Sequence, residues 1–204
     1  MKRTELVCII VALIAVILRL FHYPGGGPLI VLSLSLLSLL YFYGGILLFL
    51  DIPIKKIANS GTFKELPTLR IVGAGLTGAT LSVMVIGLLF KWQSYPGSFS
   101  MMIIGLGSMA VITVLSFWKW KKSAHPFYID ILKRVVVYSL IGWVLLGIPT
   151  RMWLNFKFPD NPQLVEALVA LDKDRSNPEL QEEANKQWDL YYNQFQNAQD
   201  EEGD

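Results

Sequence analysis

The sequence predicts an all-α fold: a polytopic membrane helix bundle of five transmembrane helices, with four as the alternative, and a short helical extramembrane tail. Three observations carry this. Of 204 residues, 53% are hydrophobic and 17% charged, with a mean hydropathy of +0.45, against about 25% charged in an average soluble protein. The apolar residues gather into five long runs. The charges are segregated: residues 1–150 hold 13 Lys/Arg against 4 Asp/Glu, a net of +9, and residues 151–204 hold 5 against 12, a net of −7.

A bilayer-spanning helix takes roughly 20 apolar residues. The first run, residues 6–21, follows Lys2 and Arg3 as a signal peptide would. No small-residue cleavage site follows it, so it reads as a retained anchor. Residues 29–50 form the most apolar run, and 71–90 and 99–118 are the third and fourth. The fifth, 135–148, has 14 residues between Arg134 and Pro149. It spans only if Leu132, Met152 and Trp153 join it and the flanking charges snorkel. The predicted organisation is a first hairpin (1–50), a loop (51–70), a second hairpin (71–118), a loop (119–134), a fifth helix (135–150) and an acidic helical tail (151–204).

Basic residues sit at the ends of the runs, not on one soluble face, which excludes a nucleic-acid footprint. Lys55, Lys56, Lys64 and Arg70 mark one loop, and Lys119, Lys121, Lys122, Lys133 and Arg134 the other. The positive-inside rule puts both loops and the amino terminus in the cytoplasm of a cell with the protein in its inner membrane. With five spans the tail is periplasmic; with four it stays in the cytoplasm. Trp92, Tyr95, Trp118, Trp120 and Trp153, near run ends, read as an interfacial belt. Glu5, Asp51 and Asp130 lie at predicted membrane ends, where a carboxylate is expected to be hydrated. The lone Cys8 lies in the first run and has no partner for an internal disulfide.

Beyond Pro149 the chain reads as ordinary soluble sequence. Asn161-Pro162 and Asn177-Pro178 read as helix starts, an Asx cap before Pro at the first helical position. Leu164, Ala167, Leu168 and Leu171 make one apolar stripe, and Leu180, Ala184, Trp188, Tyr191 and Phe195 a second. These helices are expected to pack on each other, on the membrane surface or on a partner, with Trp188, Tyr191 and Phe195 as docking candidates. The terminal Asp200-Glu-Glu-Gly-Asp204 is expected to be disordered.

Two turns set the topology. Arg19-Leu-Phe-His22-Tyr23-Pro24-Gly25 and Lys91-Trp-Gln-Ser-Tyr95-Pro96-Gly97 lie 72 residues apart, each between two apolar runs. Pro disfavours helix in the residue before it and Gly admits positive φ, so each stops one helix and returns the next. The match of Leu18-Arg19 with Phe90-Lys91 reads as an internal duplication of a two-helix hairpin. Arg19 and Lys91 are the charges beside the turns and read as snorkelling to headgroups. His22 and His125 read as polar caps.

The second copy, Gly87-Leu-Leu-Phe-Lys91-Trp-Gln-Ser-Tyr95-Pro-Gly97 followed by Gly105-Leu-Gly107-Ser, resembles the amino-terminal membrane hairpin of the GldL family. These are gliding-motility and type IX secretion motor proteins of Bacteroidota. The resemblance covers about 35 residues there, more loosely the first copy, and neither the fifth run nor the tail. It implies a ring of chains around the membrane helices of a partner, GldM, and conversion of a proton gradient into motion. The family's proton site is a glutamate just after the Gly-Leu-Gly segment. Here that position is Met109, and Leu37 in the first copy, so the residue that would carry the activity is replaced.

No His/Asp/Glu/Cys group has metal-ligand spacing, and no Ser or Cys has a visible base partner. The reading is therefore no enzyme and no cofactor. Gly73, Gly75, Gly78, Gly105 and Gly107 read as helix-packing positions, or as a face for another membrane protein or a second copy. The expected function is a non-catalytic scaffold or partner-binding subunit of an envelope assembly. The alternatives are a small transporter or channel and, against the evidence of Met109, a proton-driven motor. Beyond proteins, the expected partners are membrane lipids.

Overall fold

The computed structural model describes residues 1–21, 23, 25–53, 66–95 and 97–201, with side chains to residue 193. His22, Pro24, Pro96, Lys55, Lys56, Lys64 and residues 202–204 lie outside the described residues, as does the side chain of Phe195. Among the described residues the chain is all-helical, with eight helices and no strand. They are α1 (Lys2–Leu20), α2 (Gly26–Phe49), α3 (Thr68–Gln93), α4 (Ser98–Ser123), α5 (Pro126–Gly147), α6 (Thr150–Lys157), α7 (Pro162–Lys173) and α8 (Pro178–Glu201). They fall into two units, Met1–Leu146 and Gly147–Asp204.

Among the described residues three helices, α2, α3 and α4, are long and apolar enough to cross a membrane, and α5 counts as a fourth only together with α6. The first run does not pass, because α1 carries Lys2, Arg3, Glu5 and Arg19 within its 19 residues. The fifth does not continue into Met152 and Trp153. The helix stops at Gly147, Ile148-Pro149 interrupts it, and Trp153 is buried on α6 in the second unit. Pro149 lacks the amide hydrogen that would continue the α5 ladder. The stretch 119–134, read as a loop, is helical except at Ala124 and His125. The imidazole Nδ1 of His125 accepts the Phe127 amide at 3.1 Å and so caps α5.

The two turns repeat in their backbone bonds. Tyr23 N–H donates to the Leu18 carbonyl and Tyr95 N–H to that of Phe90, each at 2.9 Å. Leu29 N–H reaches Gly25 O, and Met101 N–H reaches Gly97 O. Gly25 and Gly97 both cap their helices with φ near +90° (92° and 87°), a region that costs other residues about 1–2 kcal/mol. At the opposite end, Lys2 Nζ bridges Asp51 at 2.7 Å and Asp130 at 3.3 Å. The starts of α1 and α5 and the end of α2 thus meet there.

Within the first unit, α1 packs on α2, α2 on α3 and α3 on α4. The tightest crossing is α2 with α3. A Cβ on Gly78 would lie 2.5 Å from the Tyr41 carbonyl oxygen and 3.0 Å from Gly45 Cα. Nearby, the Ser38 and Ser82 hydroxyls hydrogen-bond across the same interface at 2.8 Å. Small residues and hydroxyls of this kind draw helices together where lipid offers no hydrophobic drive. Leu37, Leu81, Met84, Met102 and Met109 are buried in the core. Leu32, Leu39, Leu76, Val114 and Val144 project from the outside.

In the second unit α7 packs on both α6 and α8. Asn177 caps α8 by accepting the Glu179 amide at 3.0 Å, whereas Asn161 makes no side-chain cap bond. Leu154, Phe158, Leu164 and Val165 form its core, with Trp188 and Tyr191 packed on it. The α8 backbone is helical to Glu201, and the rest of the terminal stretch expected to be disordered, residues 202–204, lies outside the described residues.

Candidate functional site

The sequence-predicted turn residues stay apart from one another's chemistry. Arg19 and Lys91 are half-buried at their helix ends, while Tyr23 and Tyr95 are exposed. The Tyr95 ring stands edge-on to Phe90 at 5.6 Å, a local contact. Of the packing glycines, Gly78 sits at the α2–α3 crossing, and a Cβ on Gly105 would lie 3.0 Å from Met84 Sδ. Gly75 is in ordinary contact range of Ile46, and Gly73 and Gly107 face open space. In the tail, the rings of Trp188 and Tyr191 meet that of Phe158 at 5.4 and 5.3 Å, so both serve the tail's own core.

The polar centre of the first unit lies elsewhere. Glu5, expected to be hydrated, is only 5% exposed. Residues Glu5, Ala12 and Ala15 share the buried face of α1, because spacings of seven and three bring them onto one stripe. Arg134 reaches Glu5 from α5 through two bonds, Nε to Oε1 and Nη2 to Oε2, both 2.7 Å. Its Nη1 donates to the Asp130 carbonyl one turn back at 3.2 Å. The guanidinium also lies 5.3 Å from the Phe49 ring centroid, at the distance of a cation–π contact.

Two phenols complete the cluster. The Tyr41 hydroxyl donates to Glu5 Oε1 at 2.8 Å and lies 3.0 Å from the Tyr138 hydroxyl. Its one proton is committed to the carboxylate, so it accepts from Tyr138. The rings cross edge-to-face at 5.7 Å. Tyr41 comes from the carboxyl-terminal half of α2, while Arg134 and Tyr138 are successive turns of α5. One carboxylate thus joins three helices. Its charge is met by a two-pronged guanidinium, the strongest and most directional of protein ion pairs.

Tyr41 and Tyr138 escaped the sequence reading, and Glu5 and Arg134 were read only as charges at run ends. Glu5 is three residues from the basic start of the chain and reads as a flank; its place on the stripe with Ala12 and Ala15 is the signal that it turns inward. Arg134 and Tyr138, four apart, share a face with Ile131, Val135 and Gly142, all buried. Among the described residues no group of three or more His, Cys, Asp or Glu side chains could hold a metal ion.

Beside the cluster runs an elongated cavity of about 560 Å³ between α1 and α5, backed by α2 and the end of α3. Lys2, Glu5, Lys133 and Arg134 line one end and apolar side chains the remainder. The fold and site together define a class: an all-α bundle with helices apolar enough to cross a membrane and an internally paired acid. No family model, curated protein or solved structure matches the chain.

Proposed function

We propose that this chain is a non-catalytic, multi-pass inner-membrane protein, with its amino terminus cytoplasmic and its tail periplasmic. It serves as a GldL-like scaffold or partner-binding subunit of a cell-envelope assembly. The observation that carries this reading is the Glu5–Arg134 pair with its phenols. Each charged group of the pair is held by its neighbours within the bundle, an arrangement that braces α1 against α2 and α5. A proton-driven motor needs a carboxylate that exchanges partners. Met109 and Leu37 offer none, and Glu5 has both oxygens held by Arg134.

The membrane setting is supported by outward apolar side chains on α1 to α5, including Leu6, Leu39, Leu76, Val114 and Val144. A helix apolar on all sides belongs in a core or in lipid. In the tail, Leu190 and Tyr192 remain exposed on α8 and are the side chains we assign to docking.

Co-purification in mild detergent tests the scaffold. A stoichiometric protein partner is expected, and a lone monomer that carries solute across liposomes overturns the reading. Leu190→Ala with Tyr192→Ala should weaken the pull-down while insertion is unchanged. Trp188→Ala is expected to loosen the tail itself.

A further inference from the structure

We propose that the slot between α1 and α5 is a binding site for one chain of a membrane lipid with an anionic head group. The walls include Ile9, Leu13 and Val16 on α1 and Ile141 and Leu145 on α5, with Leu37 of α2 behind them. Leu13 is 58% exposed and Val137 of the opposite wall 54%, so the slot opens sideways onto the surroundings of the bundle.

Length and charge select the occupant. From Glu5 to Val16 the helix rises about 16 Å at ~1.5 Å per residue. That is close to the ~15 Å half-thickness of a bilayer's hydrocarbon core, the depth of one lipid chain. Three of the four charged lining residues are cations. Arg134 is matched by Glu5, and Lys2 is held by Asp51 and Asp130. Lys133 is exposed and makes no ion pair among the described residues. A phosphate head group at the mouth would therefore meet Lys133, with its chain lying along the apolar wall.

The inference rests on the membrane reading alone. Lipid selectivity can be lost while a protein partner is still captured, and the reverse, so the two tests fail separately. The full chain is purified in detergent and titrated with dioleoyl phosphatidylglycerol and dioleoyl phosphatidylcholine, with bound lipid counted by native mass spectrometry. One phosphatidylglycerol should be retained in preference. Lys133→Ala should cut that preference about fivefold, the effect of one lysine near an anionic surface. Lys122→Ala, at the end of α4, should leave it intact. Ile141→Trp, which fills the slot, should abolish retention of both lipids. If Ile141→Trp fails to fold, Val137→Trp blocks the same slot from an exposed wall position. Equal retention of the two lipids, or an unchanged preference in Lys133→Ala, overturns the proposal. So does a stoichiometric polypeptide crosslinked at position 137.

Discussion

Glu5 and Arg134 are 129 residues apart in the chain and joined in the bundle by two parallel bonds of 2.7 Å. Glu5 has almost no access to solvent and Arg134 little, their side chains being 7% and 18% exposed. Removing one partner of such a pair leaves the other charge buried and uncompensated, at a cost of about 3–5 kcal/mol. Glu5→Ala and Arg134→Ala should each lose that much in unfolding titrations with denaturing detergent. Replacing both, Glu5→Leu with Arg134→Met, should restore most of it. A double variant as weak as the sum of the singles would show that the two residues act independently.

The phenols should rank unequally. Tyr41 donates to a carboxylate, a bond of the ~1.5–3 kcal/mol class, whereas Tyr138 donates to a neutral oxygen, nearer ~1 kcal/mol. Tyr41→Phe should therefore destabilise the bundle more than Tyr138→Phe. The same melting assay reads the order, and a reversed order would place the acid's main support elsewhere.

Gly78 and Gly73 provide a matched pair on one helix. Alanine at 78 runs into the Tyr41 carbonyl and the Gly45 backbone, which cannot yield as a flexible side chain can. A cost of about 1–3 kcal/mol is expected for overpacking of this kind. Alanine at 73 meets nothing within 4 Å, and should be neutral or slightly stabilising, since Gly is a poor helix former. Thermal shifts of the two variants, measured side by side, test the crossing directly.

Lys2 governs the alkaline side. Its hydrogen bond to Asp51 holds the ammonium above the ordinary lysine value, partly offset by burial and reinforced by Asp130. A group whose folded pKa is raised contributes fully below its unfolded pKa and loses that contribution as pH rises through the folded value. The contact between the start of α1, the end of α2 and the start of α5 should hold across the neutral range and weaken in the alkaline range. A pH series of melting temperatures should show Lys2→Met with a flatter alkaline decline than the parent chain.

The helical class, the apolar runs and the two turns were legible because each depends on local chemistry: run length, Pro-Gly punctuation and charge at run ends. Asn177 and His125 announced their capping roles in the same way. Glu5 was not legible as a buried acid because its partners sit on other helices, 36 and 129 residues away. Arg134, read as a loop-end cation, is helical because α5 begins eight residues before it at Pro126. Trp188 and Tyr191 show the opposite difficulty. A stripe of exposed-looking aromatics carries no mark of what it packs on, and the Phe158 ring that receives them belongs to no periodic pattern.

The Glu5–Arg134 pair also sets an order of events during synthesis. The acid leaves the ribosome 129 residues ahead of its base, about 6–26 s at ~5–20 residues per second. For that interval α2, α3 and α4 must be laid down beside an α1 whose carboxylate has no guanidinium. A nascent chain arrested before α5 would therefore hold this acid against the Tyr41 hydroxyl alone.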